Sequence, residues 1–137
     1  EEILKQQGLS NAMKKSGRET SEGVIQSYIH AGNKIGSMVE LKCETDFVAR
    51  TEEFIELTKD LAMQVAAMSP TYIYSDDDGA ENVSPEEVLI TQSFIKDPSV
   101  TIEEMIKSMI SKVGENIKVS KIIKITLKRM IKIFILL

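Results

Sequence analysis

The chain has 137 residues, of which 42% are apolar and 28% charged, a composition typical of one globular domain. The net charge of −4 conceals an asymmetry, because residues 118–137 contain six basic residues and no acidic one. Residues 1–117 therefore carry 11 basic and 21 acidic side chains. Because nucleic-acid backbones require a basic face, we expect this acidic body to have no direct nucleic-acid partner.

Residue types that commonly act in catalysis or bind metal ions are scarce in this sequence. A single cysteine, Cys43, excludes an internal disulfide framework and any Cys-only metal site, and it fits a reducing compartment. A single histidine, His30, excludes an H-E-x-x-H metal site, and the seven glycines never form a phosphate-binding loop. The longest apolar run, Ile133–Leu137, is far below the ~20 residues of a membrane span. We therefore expect no enzyme activity, metal, cofactor or membrane partner.

The first half of the chain predicts a helix end, a hairpin and a helix. Residues 1–23 resemble the end of a helix followed by a linker. Residues 24–44 predict a β-hairpin, whose second strand has an alternating face formed by Ile35, Ser37, Val39, Leu41 and Cys43. Residues 51–68 predict an amphipathic helix with an apolar stripe formed by Phe54, Leu57, Leu61, Val65 and Met68.

The second half predicts a loop, two helices and a returning strand. Residues 72–83 predict a solvated loop, and Ser84 and Pro85 then begin a short helix. A capping box from Thr101 to Glu104 begins another helix, which Gly114 ends. From Ile117 the alternation returns, with Ile123, Ile125 and Leu127 set against Lys124, Thr126 and Lys128. The fold class is therefore α+β, with a three-stranded antiparallel sheet packed against helices.

The basic tail allows two interpretations. On a helix, the lysines at 118, 121, 124, 128 and 132 share one face, a pattern suited to an anionic membrane or an acidic partner. The alternation to Leu127 supports a strand equally well, and the sheet requires one. We therefore expect a core domain over residues 24–128, preceded by the N-terminal segment 1–23 and followed by an atypical tail over 129–137.

The corner between the hairpin and the first long helix contains Thr45, Asp46, Phe47 and Val48. Elementary physics favours an arrangement in which Phe47 packs under the helix and Asp46 caps its first turn. The alternative is that Phe47 is an exposed anchor for a partner, because aromatic side chains commonly serve that purpose in interfaces. Spacing alone does not choose between them.

Four sequence blocks resemble the translation elongation factor Ts family. They are SYIHAGNKIG at 27–36, VELKCETDFVAR at 39–50, QSFIKDP at 92–98 and GENI at 114–117. The resemblance extends over residues 1–119, and it includes an N-terminal segment similar to the last helix of a ubiquitin-associated domain. It departs from the family in a shortened N-terminal module, in a short stretch between Ile73 and Leu89, and in the tail beyond Ser120.

The resemblance implies a guanine-nucleotide exchange factor that binds GDP-bound and nucleotide-free elongation factor Tu and promotes GDP release. It places Asp46 and Phe47 against the G domain near the nucleotide and its Mg²⁺, with Thr45 and Val48 shaping the corner. His30 would form a second partner contact. The alternative is an interaction module without exchange activity, either a degenerate relative or a binder that acts through its basic tail.

The resemblance also bears on assembly and location. Short members with a single core module are expected to form homodimers, in which the corner and the histidine block of two subunits serve one functional unit. The implied location is the bacterial cytoplasm, or alternatively an organelle stroma or matrix.

Overall fold

The computed structural model describes residues 13–127. The strands are β1 (Glu22–Ile29), β2 (Ile35–Cys43), β3 (Ser93–Phe94), β4 (Asp97–Thr101) and β5 (Lys118–Thr126), and the α-helices are α1 (Asp46–Ala49), α2 (Glu52–Met68) and α3 (Ile102–Val113). The predicted α+β class is confirmed. Of the predicted N-terminal helix end, only residues 13–15 are described, and they are helical. The rest of the predicted N-terminal segment and the tail over 129–137 lie outside the described residues.

The main sheet has the strand order β1-β2-β5, and both pairings are antiparallel. The predicted hairpin is confirmed, because β1 and β2 are joined by residues 30–34, where the His30 N–H donates to the Ile35 carbonyl at 2.9 Å. Gly32 and Asn33 have φ values of 96° and 60°, and glycine and asparagine are the residues that tolerate this left-handed region best. The predicted alternating face of β2 is also confirmed, with Val39, Leu41 and Cys43 fully buried.

Strand β5 reverses its exposure pattern at a bulge. Its partner on β2 shifts between Glu40 and Leu41, so that Leu41 pairs with Val119 whereas Glu40 pairs with Lys121. The extra residue, Ser120, changes the phase of the alternation. The strand is confirmed over residues 118–126, so the helical interpretation of the tail lysines is wrong there.

Both long helices have the predicted ends and bury their apolar sides. Thr51 caps α2, and its Oγ1 accepts from the Phe54 N–H at 3.2 Å. The capping box of α3 is complete, and Gly114 ends that helix with a φ of 75°. The core between sheet and helices is formed by Val39, Leu41, Phe54, Leu61, Val65, Ile102, Ile106, Ile110 and Val119, among others. Met68 was predicted on the buried stripe but is 39% exposed, since α2 ends beyond the edge of the core.

The segment between α2 and β3 is more ordered than a solvated loop. Asp77 turns inward, and its Oδ2 accepts from the backbone N–H groups of Ile73 and Tyr74 at 2.9 and 3.0 Å. The Tyr74 hydroxyl accepts from the Val119 N–H of β5 at 2.8 Å, and burial raises its pKa. The predicted short helix is a 3-10 turn at Pro85–Glu87, followed by a second one at Leu89–Thr91.

Candidate functional site

The corner, residues 45–50, presents Phe47 to solvent. Thr45 is the N-cap of the four-residue helix α1, and its Oγ1 accepts from the Val48 N–H at 3.4 Å. Val48 and Ala49 are buried, whereas the Phe47 side chain is 79% exposed. The arrangement with Phe47 under the helix is therefore wrong. Asp46 does not cap the turn either, because Thr45 occupies that position.

Arg50 organises the exposed side of the corner. Its Nε lies 3.0 Å from Asp46 Oδ2, an i,i+4 ion pair along α1. Its guanidinium also lies over the Phe47 ring, 5.9 Å from the ring centroid, within the range of a cation–π contact. Arg50 was not predicted as a site residue, although its four-residue spacing from Asp46 was a usable signal.

A carboxylate from a distant part of the chain braces the corner from behind. Glu115 Oε1 accepts from the backbone N–H groups of Glu44 and Thr45 at 3.1 and 3.0 Å. Glu115 Oε2 accepts from the Thr45 hydroxyl at 2.6 Å. These contacts join residues about 70 positions apart in the chain. Glu115 was not predicted as a site residue, since spacing along the chain carries no signal for a contact of this range.

The contacts are reciprocal. Glu44 Oε2 accepts from the Asn116 N–H at 2.5 Å and lies 3.6 Å from Arg18 Nη1. The Asn116 side-chain amide donates in turn to the Ser16 and Arg18 carbonyls at 3.3 and 2.8 Å. We call the contacts among Glu44, Thr45, Glu115 and Asn116 the carboxylate clamp. It ties the end of β2 to the segment between α3 and β5, and both to the N-terminal linker.

The second predicted contact, His30, lies at the other end of the hairpin. It is exposed, and its Nδ1 lies 3.0 Å from the Tyr28 hydroxyl. His30 precedes the turn that leads into β2, whereas the corner follows the last residue of β2. Since the nine residues of β2 extend over about 27 Å, the structure keeps His30 well away from Phe47.

The outer face of the sheet carries an apolar patch that the described residues leave uncovered. It contains Ile25, Ile29, Met38, Ile123, Ile125 and Leu127, each at least 45% exposed. The register places Met38 opposite Ile123, and Gly36 between Ile29 and Ile125, so these side chains are contiguous. We call this surface the outer face. Contiguous exposed apolar patches commonly mark interaction sites.

Cys43 lies on the opposite, buried side of the sheet, as predicted. Its thiol donates to the Thr45 carbonyl at 3.2 Å. Burial and the nearby Glu115 carboxylate raise the pKa of the thiol to about 11, so it is protonated at neutral pH.

Within residues 13–127, the histidine, cysteine, aspartate and glutamate side chains do not form a group of three or more that could bind a metal ion. Within the same residues, no helix combines the length and the apolar character needed to cross a membrane.

The structure thus defines an α+β module that presents an aromatic side chain from a braced corner. The sequence profile of the family described as "Elongation factor TS" matches residues 11–88, which include the whole corner. Elongation factor Ts of Thermosipho melanesiensis is 43% identical, over 91% of this chain and 80% of its own length. Those of Methylacidiphilum infernorum and Carboxydothermus hydrogenoformans are 40% and 36% identical, over 78% and 73% of their lengths.

The chain belongs to the elongation factor Ts family, which is a family of translation elongation factors. Its alignment with the Thermosipho protein extends over 157 positions although the chain has 137 residues, so the relative carries residues that this chain lacks.

Proposed function

We propose that this protein is a guanine-nucleotide exchange factor that binds elongation factor Tu and accelerates the release of GDP. The observation that carries the proposal is the exposure of Phe47 at a corner whose backbone is fixed by the carboxylate clamp. Exposing a phenylalanine ring to water is unfavourable, so its burial in a partner's pocket is favourable. Because the backbone of the corner is already fixed, less conformational entropy is lost when the side chain enters that pocket. Both properties suit an anchor residue in a transient interface.

The proposed mechanism is differential binding and needs no covalent step. The protein binds nucleotide-free elongation factor Tu more tightly than the GDP-bound form, so by linkage its binding weakens the affinity for GDP. Phe47 is the side chain that enters the G domain, and Asp46 supplies a polar contact beside it. Displacing the partner's Mg²⁺ would leave the nucleotide phosphates poorly neutralised and would favour their release. Thr45 and Val48 hold the geometry, as N-cap and as buried anchor of α1.

We further propose that the protein works as a homodimer formed through the outer face. His30 and Phe47 lie at opposite ends of β2, so one copy is poorly placed to offer both to a single small site. A two-fold axis in the interface plane and perpendicular to the strands would bring the His30 end of one copy over the corner end of the other. His30 is therefore proposed as a second contact with elongation factor Tu, supplied by the partner subunit. The proposed location is the cytoplasm, where bacterial translation takes place.

The proposal is tested by the release of a fluorescent GDP analogue from elongation factor Tu. Wild type should accelerate release, and Phe47→Ala should lower that acceleration about 10- to 30-fold, because the loss of an aromatic anchor commonly costs about 2 kcal/mol. A matched control is Met68→Ala, which also removes an exposed apolar side chain but at the far end of α2, about 25 Å along that helix. It should release GDP at the wild-type rate.

If GDP release in the presence of the wild-type protein stays at its spontaneous rate, the exchange function is contradicted. Binding to nucleotide-free elongation factor Tu without acceleration would then identify the alternative, an interaction module that does not exchange. Co-sedimentation with anionic vesicles, comparing the full chain with a form ending at Leu127, tests whether the tail binds membranes. Equal sedimentation of the two forms would exclude that role.

A further inference from the structure

We propose that Glu115 is a positioning residue for nucleotide exchange, because its carboxylate fixes the direction in which the corner presents Phe47. The inference rests on the proposed function and assigns a role to a residue that does not itself reach the exposed surface of the corner. Glu115 acts through residues 44 and 45, because it accepts from both of their backbone N–H groups and from the Thr45 hydroxyl.

The corner needs such external support because its helix is very short. Helix α1 has four residues, and a single helical turn is not stable on its own, since nucleation fixes several dihedral angles for one hydrogen bond. Its local supports include the Thr45 cap, at 3.4 Å, the exposed Asp46–Arg50 ion pair, and the burial of Val48 and Ala49. The stronger contacts come from Glu115, because hydrogen bonds to a charged acceptor are about twice as strong as neutral ones.

The position of Glu115 is itself well determined. It directly follows Gly114, the left-handed C-cap of α3, whose N–H donates to the Ile110 carbonyl at 2.9 Å. The next two residues, Asn116 and Ile117, are buried. The carboxylate is therefore mounted on the end of a packed helix. Removing or shortening this side chain should move the corner, whereas α3 and the core stay in place.

A single oxygen of the carboxylate, Oε1, accepts from both backbone N–H groups that follow the end of β2. Without it, the N–H groups of Glu44 and Thr45 lose their side-chain acceptor, and the Thr45 hydroxyl loses its acceptor at 2.6 Å. The segment between Cys43 and α1 could then adopt other backbone angles at little cost. A shift of about 1 Å in a positioned group can reduce a rate by up to about 100-fold.

The test measures the release of the GDP analogue against the concentration of the exchange factor, which separates the maximal rate from the half-saturating concentration. We expect Glu115→Ala to lower the maximal rate about tenfold. We expect Glu115→Gln to stay within about threefold of wild type, because one amide oxygen can still accept from both N–H groups. The decisive variant is Glu115→Ala combined with Phe47→Ala. If Glu115 acts through Phe47, the double variant should be no slower than Phe47→Ala alone.

Thr101→Ala is the matched control for stability. It removes the capping box at the other end of α3, about 18 Å from Glu115, and should leave the maximal rate unchanged. If circular dichroism shows that Glu115→Ala does not fold, Glu115→Asp replaces it in the single and double variants. The aspartate keeps the charge, but its shorter side chain moves the carboxylate away from the two N–H groups.

Three outcomes would overturn the inference: a maximal rate for Glu115→Ala or Glu115→Asp equal to wild type, additive losses in the double variant, or an equal loss in Thr101→Ala. Each of these outcomes is interpreted only if the wild-type protein accelerates GDP release in the same assay. A wild type without acceleration contradicts the proposed function itself, so the two failures are distinct.

Discussion

Both faces of the three-stranded sheet carry large aliphatic side chains, but only those of the inner face pack against the helices. On the inner face Leu41 is fully buried under the helices, whereas on the outer face Ile125 is 68% exposed. The difference shows that alternation along a strand specifies that two faces exist, while packing against other elements decides which one becomes the core. None of the described residues covers the apolar patch of the outer face, and we propose that a second copy of the chain does.

Truncation on the inner face should give the largest effect. Leu41→Ala leaves a cavity in the core, so we expect the free energy of unfolding to fall by about 3–4 kcal/mol. Ile125→Ala removes a similar volume from the outer face and should cost less than about 1 kcal/mol when measured at high dilution. Urea unfolding of both variants checks this. Equal losses would mean that the outer face is packed within the monomer, and the comparison would fail.

A charge on the outer face should break association and spare the fold. We expect Ile125→Asp to weaken self-association at least about 100-fold, equivalent to about 2.7 kcal/mol, because the dimer would have to bury the new carboxylate. Analytical ultracentrifugation measures the dissociation constant, and circular dichroism monitors the fold. Ile95→Asp is the control, since Ile95 is also exposed but lies outside the sheet. A wild type that sediments as a monomer at all concentrations would exclude the proposed dimer.

The smallest expected effect comes from a titration on the inner face. The pKa of the Cys43 thiol is raised from 9.0 to about 11 in the folded protein, chiefly by burial and then by the Glu115 charge. Between these pH values the unfolded chain loses the thiol proton before the folded one, so stability is fully present below about pH 9 and declines as pH rises towards 11.

We expect this group to contribute at most about 2 kcal/mol to that decline. Chemical unfolding at pH 8.5 and pH 10.5 measures it. In Cys43→Ala the corresponding part of the pH dependence should be absent, whereas an unchanged pH dependence would show that the thiol is not shielded in the folded protein.

Much of the fold could be predicted because its signals are local. The hairpin turn with Gly32 and Asn33, the cap at Thr51 and the capping box from Thr101 to Glu104 each lie within a few residues of the element they define. The third strand was also predicted. Which of its side chains are buried could not be predicted. The bulge at Ser120 reverses the alternation that begins at Ile117, and it depends on pairing with a strand about 80 residues earlier.

The candidate site shows the same difference between local and long-range signals. The block around Asp46 and Phe47 was evident from resemblance, whereas physical argument alone favoured a buried Phe47. Burial is the usual fate of a phenylalanine, and only the packing of Val48 and Ala49 beneath α1 turns that side chain outward. Glu115 could not be assigned, because its role depends on a contact across about 70 residues. The proposed contact at His30 stays a prediction.

The carboxylate clamp also has a consequence for the order of folding. Closing a loop of about 70 residues costs about 4 kcal/mol of chain entropy, whereas the β1–β2 hairpin and α2 need only neighbouring contacts. The corner should therefore reach its final form late, after α3 and β5 have joined the sheet. A chain that has folded only its first half would carry Phe47 without holding it in place. Only fully folded chains would then bind the partner tightly, so incompletely folded chains would not compete with them for the partner.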